Sequence, residues 1–163
     1  MIRLNPTAVF CVDRDEYYRR LDDTDSGEEE ALLRWCRYVL GGLRLELKKI
    51  DRLLDFDYLR TAILQPTIKE LRRKAVLGPH EETVLLKSLQ HVPLQKQDVA
   101  GAIPSIGEVQ LPRIISGLRD SRYLLPTIEG GRKYMLDITR NPLFREVLKK
   151  LDENGFLPIK GEL

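Results

Sequence analysis

The chain has 163 residues, of which 42% are hydrophobic and 32% charged, and its formal net charge is +2. This length allows one ordinary domain or two small ones, and the composition excludes disordered and collagen-like proteins. The longest apolar stretch, residues 38–43, is six residues long, against the ~20 that a bilayer span needs, so we expect no membrane partner.

The N-terminus lacks the pattern of a secretory signal. Its apolar run, residues 7–12, is shorter than the ~7–15 residues of a signal peptide core, so we expect a cytoplasmic protein. Cys11 and Cys36 are too few for a disulfide framework and, with the two histidines, too few for a zinc site. We expect both to be buried thiols.

A long amphipathic helix is the first predicted element. Ser26 with Glu29 three residues later has the pattern of a capping box. Apolar residues then follow at steps of three or four: Leu32, Cys36, Val39, Leu43, Leu47, Ile50 and Leu54. Gly41–Gly42 in the middle indicates a kink, a split into two helices, or the close approach of another helix.

A second helix is predicted from Asp57, with a break or bend at Pro66. Its apolar positions are Leu59, Ala62, Ile63, Ile68, Leu71 and Ala75. Packed antiparallel, the two helices would bury both stripes. Gly78–Pro79 ends this part of the chain, so we predict a helical scaffold over residues 1–78.

Three shorter helices are predicted next. The first covers residues 81–90, with Val84, Leu85 and Leu89 facing inward, and the second covers residues 98–103. The third ends near residue 121 and buries Leu111, Ile114, Ile115 and Leu118. Its start is marked either by Ser105 with Glu108 or by Pro112, and the pattern leaves both open.

A β-hairpin and a last helix complete the chain. Residues 124–128 and 133–138 have the composition of strands and flank Gly130–Gly131, which suits a tight turn. Asn141–Pro142 predicts the start of a helix that Asn154–Gly155 ends. The predicted fold is mainly α: a helical N-terminal part, a winged helix-turn-helix over residues 79–140, and a C-terminal helix and tail over residues 141–163.

This order of elements suggests double-stranded DNA as a partner. In a winged helix-turn-helix the third helix enters the major groove, where Gln and Arg contact base edges, and the hairpin contacts the backbone. The candidate DNA-binding residues on the third helix and at the hairpin tip are Gln110, Arg113, Ser116, Arg119, Arg132 and Lys133.

The same residues also fit an ordinary surface. Exposed arginines are common on solvated helices, and a charged hairpin resists pairing with another chain. Glu108, Asp120 and Glu129 would repel phosphates. The alternative function is a protein-interaction or dimerisation scaffold without DNA binding, because we expect the apolar stripe from Leu32 to Leu54 to exceed what the chain itself covers.

The sequence contains none of the catalytic motifs that we considered. His80 and His91 are eleven residues apart, so an HExxH zinc helix is excluded, and a phosphate-binding glycine loop is absent. The acidic residues between Asp22 and Glu30 suit the start of a helix better than a metal site. We therefore predict no enzyme, catalytic residue, metal, cofactor or small-molecule substrate.

Two segments resemble the region that follows the catalytic motif of Fic (filamentation induced by cAMP) proteins. Residues 12–21, VDRDEYYRRL, precede an acidic spacer, and residues 33–40, LRWCRYVL, supply a tryptophan-containing helix. Residues 98–100 and 113–118 look like the winged helix that follows in many bacterial members. The resemblance implies a cytoplasmic bacterial protein with a regulatory or DNA-binding winged helix.

The catalytic motif of that family is missing here. Fic proteins transfer AMP from ATP to a protein hydroxyl with an HPFxxGN-type motif. In this chain Glu81 follows His80, and Val92–Pro93 follows His91, so no catalytic residue is carried over. The resemblance implies a C-terminal portion without the active site.

Overall fold

The computed structural model describes residues 13–104, 106–107 and 109–157. They form two compact units: unit 1 contains residues 13–56 and 155–157, and unit 2 contains Asp57–Asn154. The fold is mainly helical, with a small antiparallel hairpin after most of the helices, which confirms the predicted fold class. The unit boundary differs from the predicted one at Gly78–Pro79, because residues 57–78 group with the helices that follow them.

Unit 1 is built on two helices, α1 (Arg14–Thr24) and α2 (Glu29–Leu54). The Asp13 side chain caps α1 by accepting a hydrogen bond from the Glu16 amide at 2.9 Å. Aromatic groups join the helices: the Tyr17 and Trp35 ring centroids lie 5.5 Å apart, and the Arg20 guanidinium lies 5.2 Å from the Tyr38 ring centroid.

The start of α2 differs from the prediction. Glu28 is the N-cap residue and forms no side-chain cap, so the predicted Ser26–Glu29 capping box is wrong. The Ser26 hydroxyl instead donates to the Asp23 carbonyl at 2.8 Å and accepts from the Glu28 amide at 3.3 Å. The left-handed Gly27, φ 69°, turns the chain between the helices, and the serine stabilises this turn rather than the first turn of α2.

The predicted split of α2 at Gly41–Gly42 does not occur. One helix of 26 residues runs through both glycines. A Cβ at Gly41 would meet no described atom within 4 Å, so Gly41 marks no close approach of a neighbouring element.

A helical stretch opens unit 2 in three parts. These are α3 (Phe56–Tyr58), a π-helical segment (Leu59–Leu64) and α4 (Gln65–Arg73). Pro66 has no amide hydrogen, and its ring would clash with the carbonyl four residues earlier in a regular α-helix. The wider π turns immediately before Pro66 let the helix continue, where the sequence predicted a break or a bend.

The remaining elements follow the predicted order. They are α5 (Pro79–Ser88), α6 (Lys96–Ala100), α7 (Gln110–Asp120), β1 (Leu124–Pro126), β2 (Tyr134–Leu136) and α8 (Pro142–Glu153). Leu125 pairs with Met135 at the centre of the hairpin. Both strands are shorter than predicted, although the hairpin hydrogen bonds continue past Pro126, since the Thr127 amide donates to the Lys133 carbonyl at 2.9 Å.

The core of unit 2 lies among α5, α6, α7 and the hairpin. The predicted inward residues Val84, Leu85 and Leu89 are all buried. They share this core with the buried side chains of Leu94, Val99, Leu111, Leu118 and Leu124. The core therefore fixes the positions of α7 and the hairpin relative to α5.

A second contact within unit 2 joins α4 to α8. The Lys74 ammonium lies 2.6 Å from the buried Glu146 carboxylate. The first and last parts of the unit also meet, since the Tyr58 hydroxyl lies 3.5 Å from the Asn154 side-chain oxygen. Asn141 caps α8, and the left-handed Gly155, φ 73°, follows it, as the sequence predicted.

Cys36 is exposed, so the prediction of a buried thiol is wrong for this residue. It lies on a face of α2 that α1 leaves open. Cys11 lies outside the described residues. Within the described part of the chain, no helix combines the length and the apolar composition that crossing a membrane requires.

Candidate nucleic-acid interface

Helix α7 has one buried and one exposed face. Leu111, Ile115 and Leu118 are buried where α7 packs against α5, α6 and β1. Gln110 and Arg113 are exposed on the other side. The apolar spacing of four and three residues thus aims the polar side chains of the first turns at solvent.

Arg113 is the most available cation of this helix. Its side chain is exposed, and it has no ion pair among the described residues. Val109, just before the helix, is 68% exposed, so the N-terminal end of α7 is open to solvent. The predicted start signals Ser105 and Glu108 lie outside the described residues, and Pro112 lies within the first turn.

Ser116 and Arg119 are occupied by contacts within α7. The Arg119 guanidinium donates to the Ser116 hydroxyl at 2.9 Å and to one Asp120 carboxylate oxygen at 2.8 and 3.0 Å. The Asp120 carboxylate offsets the charge of Arg119. Ser116 and Arg119 are therefore less available to a ligand than the four other predicted contact residues.

The hairpin turn presents the other two predicted cations. The Gly131 amide donates to the Ile128 carbonyl at 2.9 Å, and Gly130 has φ 70°. A Cβ at Gly131 would lie 2.7 Å from Ile128 Cγ1 and 2.9 Å from its carbonyl oxygen, so the turn requires glycine there. Arg132 and Lys133 follow directly and are exposed.

One connection in this region was missed from the sequence. Leu94, between α5 and α6, pairs with Tyr134 of β2 through two main-chain hydrogen bonds of 2.8 and 2.9 Å. Leu94 is completely buried. Leu94 therefore lies beside β2 as a single-residue third strand, and its two hydrogen bonds connect the hairpin to the segment before α6. The short run Val92–Pro93–Leu94 between two helices is the sequence feature that could have indicated an extended segment here.

Charges around α7 and the hairpin are mixed. Asp120 is paired with Arg119, whereas Glu129 is exposed at the hairpin turn. Lys96, at the first position of α6, is a further exposed cation and was not predicted from the sequence. Burial, with a smaller effect of Glu81, raises the pKa of Tyr123, which is buried at the end of α7.

An open groove of about 490 Å³ lies between α4 and α8. Its three carboxylates are each paired: Glu70 accepts two hydrogen bonds from Arg73, Glu146 binds Lys74 beside the groove, and Glu153 binds Lys149 and Lys150. We assign no ligand to it. In the ranges that the structure describes, no three His, Cys, Asp or Glu side chains are grouped so as to hold a metal ion.

We compared the chain with protein families and with curated proteins. No protein-family model matches the chain, and a search of curated proteins finds no significant match. The resemblance to Fic proteins and the winged-helix interpretation therefore stay predictions.

Proposed function

We propose that unit 2 binds double-stranded DNA as a winged helix-turn-helix, with α7 in the major groove and the hairpin against the sugar-phosphate backbone. The order of α5, α6, α7 and the hairpin supports this proposal, as does the pairing of Leu94 with Tyr134. A major groove about 12 Å wide admits a helix such as α7.

The observation that carries the proposal is a set of three cations, Arg113, Arg132 and Lys133. All three are exposed and form no ion pair within the described residues. They lie on α7 and on the turn of the hairpin whose first strand packs against α7. Cations left free of carboxylates attract phosphates, and the attraction weakens as salt rises.

The proposal gives these residues different tasks. Gln110 and Arg113 are near the start of α7 and have side chains that form paired hydrogen bonds with base edges. Arg132 and Lys133 would contact phosphates. Arg119 and Ser116 contribute less, because they already bind each other and Asp120.

The resemblance to Fic proteins extends this proposal. It places the DNA-binding unit in the non-catalytic C-terminal portion of a cytoplasmic, bacterial Fic-like protein, where DNA binding would serve regulation. The AMP-transfer chemistry of that family has no counterpart among the residues of this chain.

Fluorescence anisotropy with a labelled random duplex tests the proposal. The chain is expected to bind at 50 mM salt and to lose affinity steeply towards 200 mM. A variant with Arg113→Ala, Arg132→Ala and Lys133→Ala should bind more weakly. The slope of log affinity against log salt should become shallower by about 0.9 for each phosphate that the variant no longer neutralises.

Arg145→Ala is the matched control. Arg145 is exposed on α8, which packs against α4 and the π-helical segment rather than α7, so its loss should leave DNA affinity unchanged. Absence of binding at low salt would overturn the proposal and favour the interaction scaffold. Equal binding by the triple variant and the unmodified chain would show that DNA contacts another surface.

A further inference from the structure

Val109, immediately before α7, is an apolar residue that lies open to solvent. It is 68% exposed, so it contributes little to the core that α7 forms with α5, α6 and β1. Its backbone already has helical angles, φ −84° and ψ −28°, so the angular spacing of α7 extends to this residue. Val109 therefore belongs to the surface of α7.

The side of α7 on which Val109 lies points away from the core. Successive residues of an α-helix are about 100° apart. With this spacing, Val109 and Arg113 both lie within about 30° of the direction opposite the buried residues, which are Leu111, Ile115 and Leu118. Val109 and Arg113 are four positions apart, so they are neighbours on the most outward part of the helix.

A valine at this position has no advantage for folding. Val109 is the N-cap residue of α7, where Ser, Thr, Asp and Asn stabilise a helix by accepting a hydrogen bond from an amide of the first turn. The side chain of valine has no atom that accepts a hydrogen bond. Neither burial nor capping therefore accounts for an apolar side chain at the start of α7.

The charges of α7 favour the same end of the helix as a contact surface. Arg113 is exposed and has no ion pair within the described residues. At the other end of α7, about 17 Å beyond Val109, Arg119 is paired with Asp120. An anionic duplex is therefore attracted most strongly to the end of α7 that carries Val109 and Arg113.

The major groove of DNA offers an apolar side chain one partner. Base edges there present hydrogen-bond donors and acceptors, and thymine adds a C5-methyl group. Valine cannot bond to the donors or acceptors, but contact between its methyl groups and the thymine methyl group removes apolar surface of both from water.

We infer that Val109 contacts the methyl group of a thymine, next to a base that Gln110 or Arg113 reads. This contact rests on the proposed function, which places α7 in the major groove, and it adds a chemical feature of the DNA site. The site of unit 2 then includes an A·T pair at the position that faces Val109. Cytosine, which lacks the methyl group, is disfavoured there.

Deoxyuridine substitution tests the contact, because it removes the methyl group alone. A duplex that the full chain prefers is selected from a random pool, and each of its thymines is then replaced in turn by deoxyuridine. Fluorescence anisotropy should show an affinity loss of about fourfold at one thymine, the effect of one buried methyl group. Val109→Ala should bind the thymine duplex more weakly and distinguish the two bases by less than about twofold.

Val76→Ala is the matched control. Val76 is an exposed valine that follows α4, and α4 packs against α5, α8 and the π-helical segment. This variant should keep both the affinity of the unmodified chain and its preference for thymine over deoxyuridine. Both valines are exposed, so the two variants should fold as the unmodified chain does, which circular dichroism checks.

The outcomes distinguish this contact from the proposed function. Duplex binding with the expected salt dependence, but with equal affinity for thymine and deoxyuridine at every position, would overturn the contact alone. An equal loss on deoxyuridine in Val109→Ala and in the unmodified chain would also overturn it, since another residue then contacts the methyl group. Absence of duplex binding would refute both proposals.

Discussion

The side-chain amide nitrogen of Asn141 lies 2.6 Å from the Arg122 carbonyl oxygen, across 19 positions of sequence. The same nitrogen donates to the Asp137 carbonyl at 2.7 Å, and the side-chain oxygen accepts from the Leu143 amide at 2.9 Å. One side chain therefore holds the end of α7, the exit of the hairpin and the start of α8.

Asn141→Ala is expected to destabilise the protein by about 2 kcal/mol, because it removes a helix cap and two further hydrogen bonds. Asn141→Asp keeps the cap but should also destabilise the protein, because a carboxylate oxygen then faces the Arg122 and Asp137 carbonyl oxygens in place of the donor. Urea unfolding followed by circular dichroism measures both. Asn154→Ala is the control, because among the described residues the Asn154 side chain bonds only its own helix turn and Tyr58 at the surface. A loss below about 0.5 kcal/mol for Asn141→Ala would contradict the assigned role.

The hairpin turn provides a steric prediction. Gly131→Ala should destabilise the protein by about 1–3 kcal/mol, because its Cβ would overlap Ile128, and should also reduce duplex affinity by displacing Arg132. Gly117→Ala is the comparison: its Cβ meets no described atom within 4 Å, and it lies inside α7. Thermal unfolding should show it stabilising by up to about 1 kcal/mol. Equal effects of the two changes would count against the turn geometry.

The end of α4 contains a strained alanine. Ala75 has φ 56°, and the next amide, Val76, donates to the Leu71 carbonyl at 3.0 Å, as in a Schellman motif. Ala75→Gly should therefore stabilise unit 2 by about 1 kcal/mol, because glycine adopts this conformation without steric cost. Ala62→Gly, within the helical stretch, should have the opposite sign. Chemical denaturation of both variants decides whether position 75 has this left-handed conformation.

Acid stability should depend on Glu70. The hydrogen bonds from Arg73, opposed by burial and reinforced by the charges of Arg73, Lys74 and Lys149, lower the pKa of Glu70 to about 2 from the ordinary 4.5. A carboxyl whose pKa is lower in the folded state stabilises the fold above pH 4.5 and loses this contribution as pH falls towards 2. Glu70→Gln should therefore lose less unfolding free energy between pH 5 and pH 3 than the unmodified chain.

Urea unfolding at each pH measures this difference. Glu129→Gln is the control, since Glu129 is exposed at the hairpin turn and has no ion pair within the described residues. Parallel pH profiles for Glu70→Gln and the unmodified chain would refute the role of the Glu70–Arg73 pair.

Local chemistry explains what could be predicted of the fold. Asn141–Pro142 marks the start of α8, and Gly130–Gly131 marks the hairpin turn, because caps and tight turns depend on a few neighbouring residues. The Leu94–Tyr134 pairing was missed, since it joins single positions 40 residues apart and leaves no periodic pattern. Ser26 was misread because a capping serine and a turn serine have the same local sequence.

Periodicity has a corresponding limit at the candidate surfaces. The spacing from Leu32 to Leu54 identifies an apolar face but not whether another element covers it, so Cys36 was wrongly expected to be buried. On α7 the spacing correctly separates Leu111 and Leu118 from Arg113. The spacing of apolar residues does not reveal that the Arg119 guanidinium binds the Asp120 carboxylate. Whether an exposed arginine contacts a carboxylate or solvent depends on its side-chain rotamer.

The contact of Tyr58 with Asn154 has a topological consequence. The chain enters unit 2 and leaves it at neighbouring points, so the unit forms a nearly closed loop of backbone. Domains with adjacent ends tolerate circular permutation. A short linker between residues 57 and 154, with new termini in an exposed loop, should therefore preserve the arrangement of α7 and the hairpin.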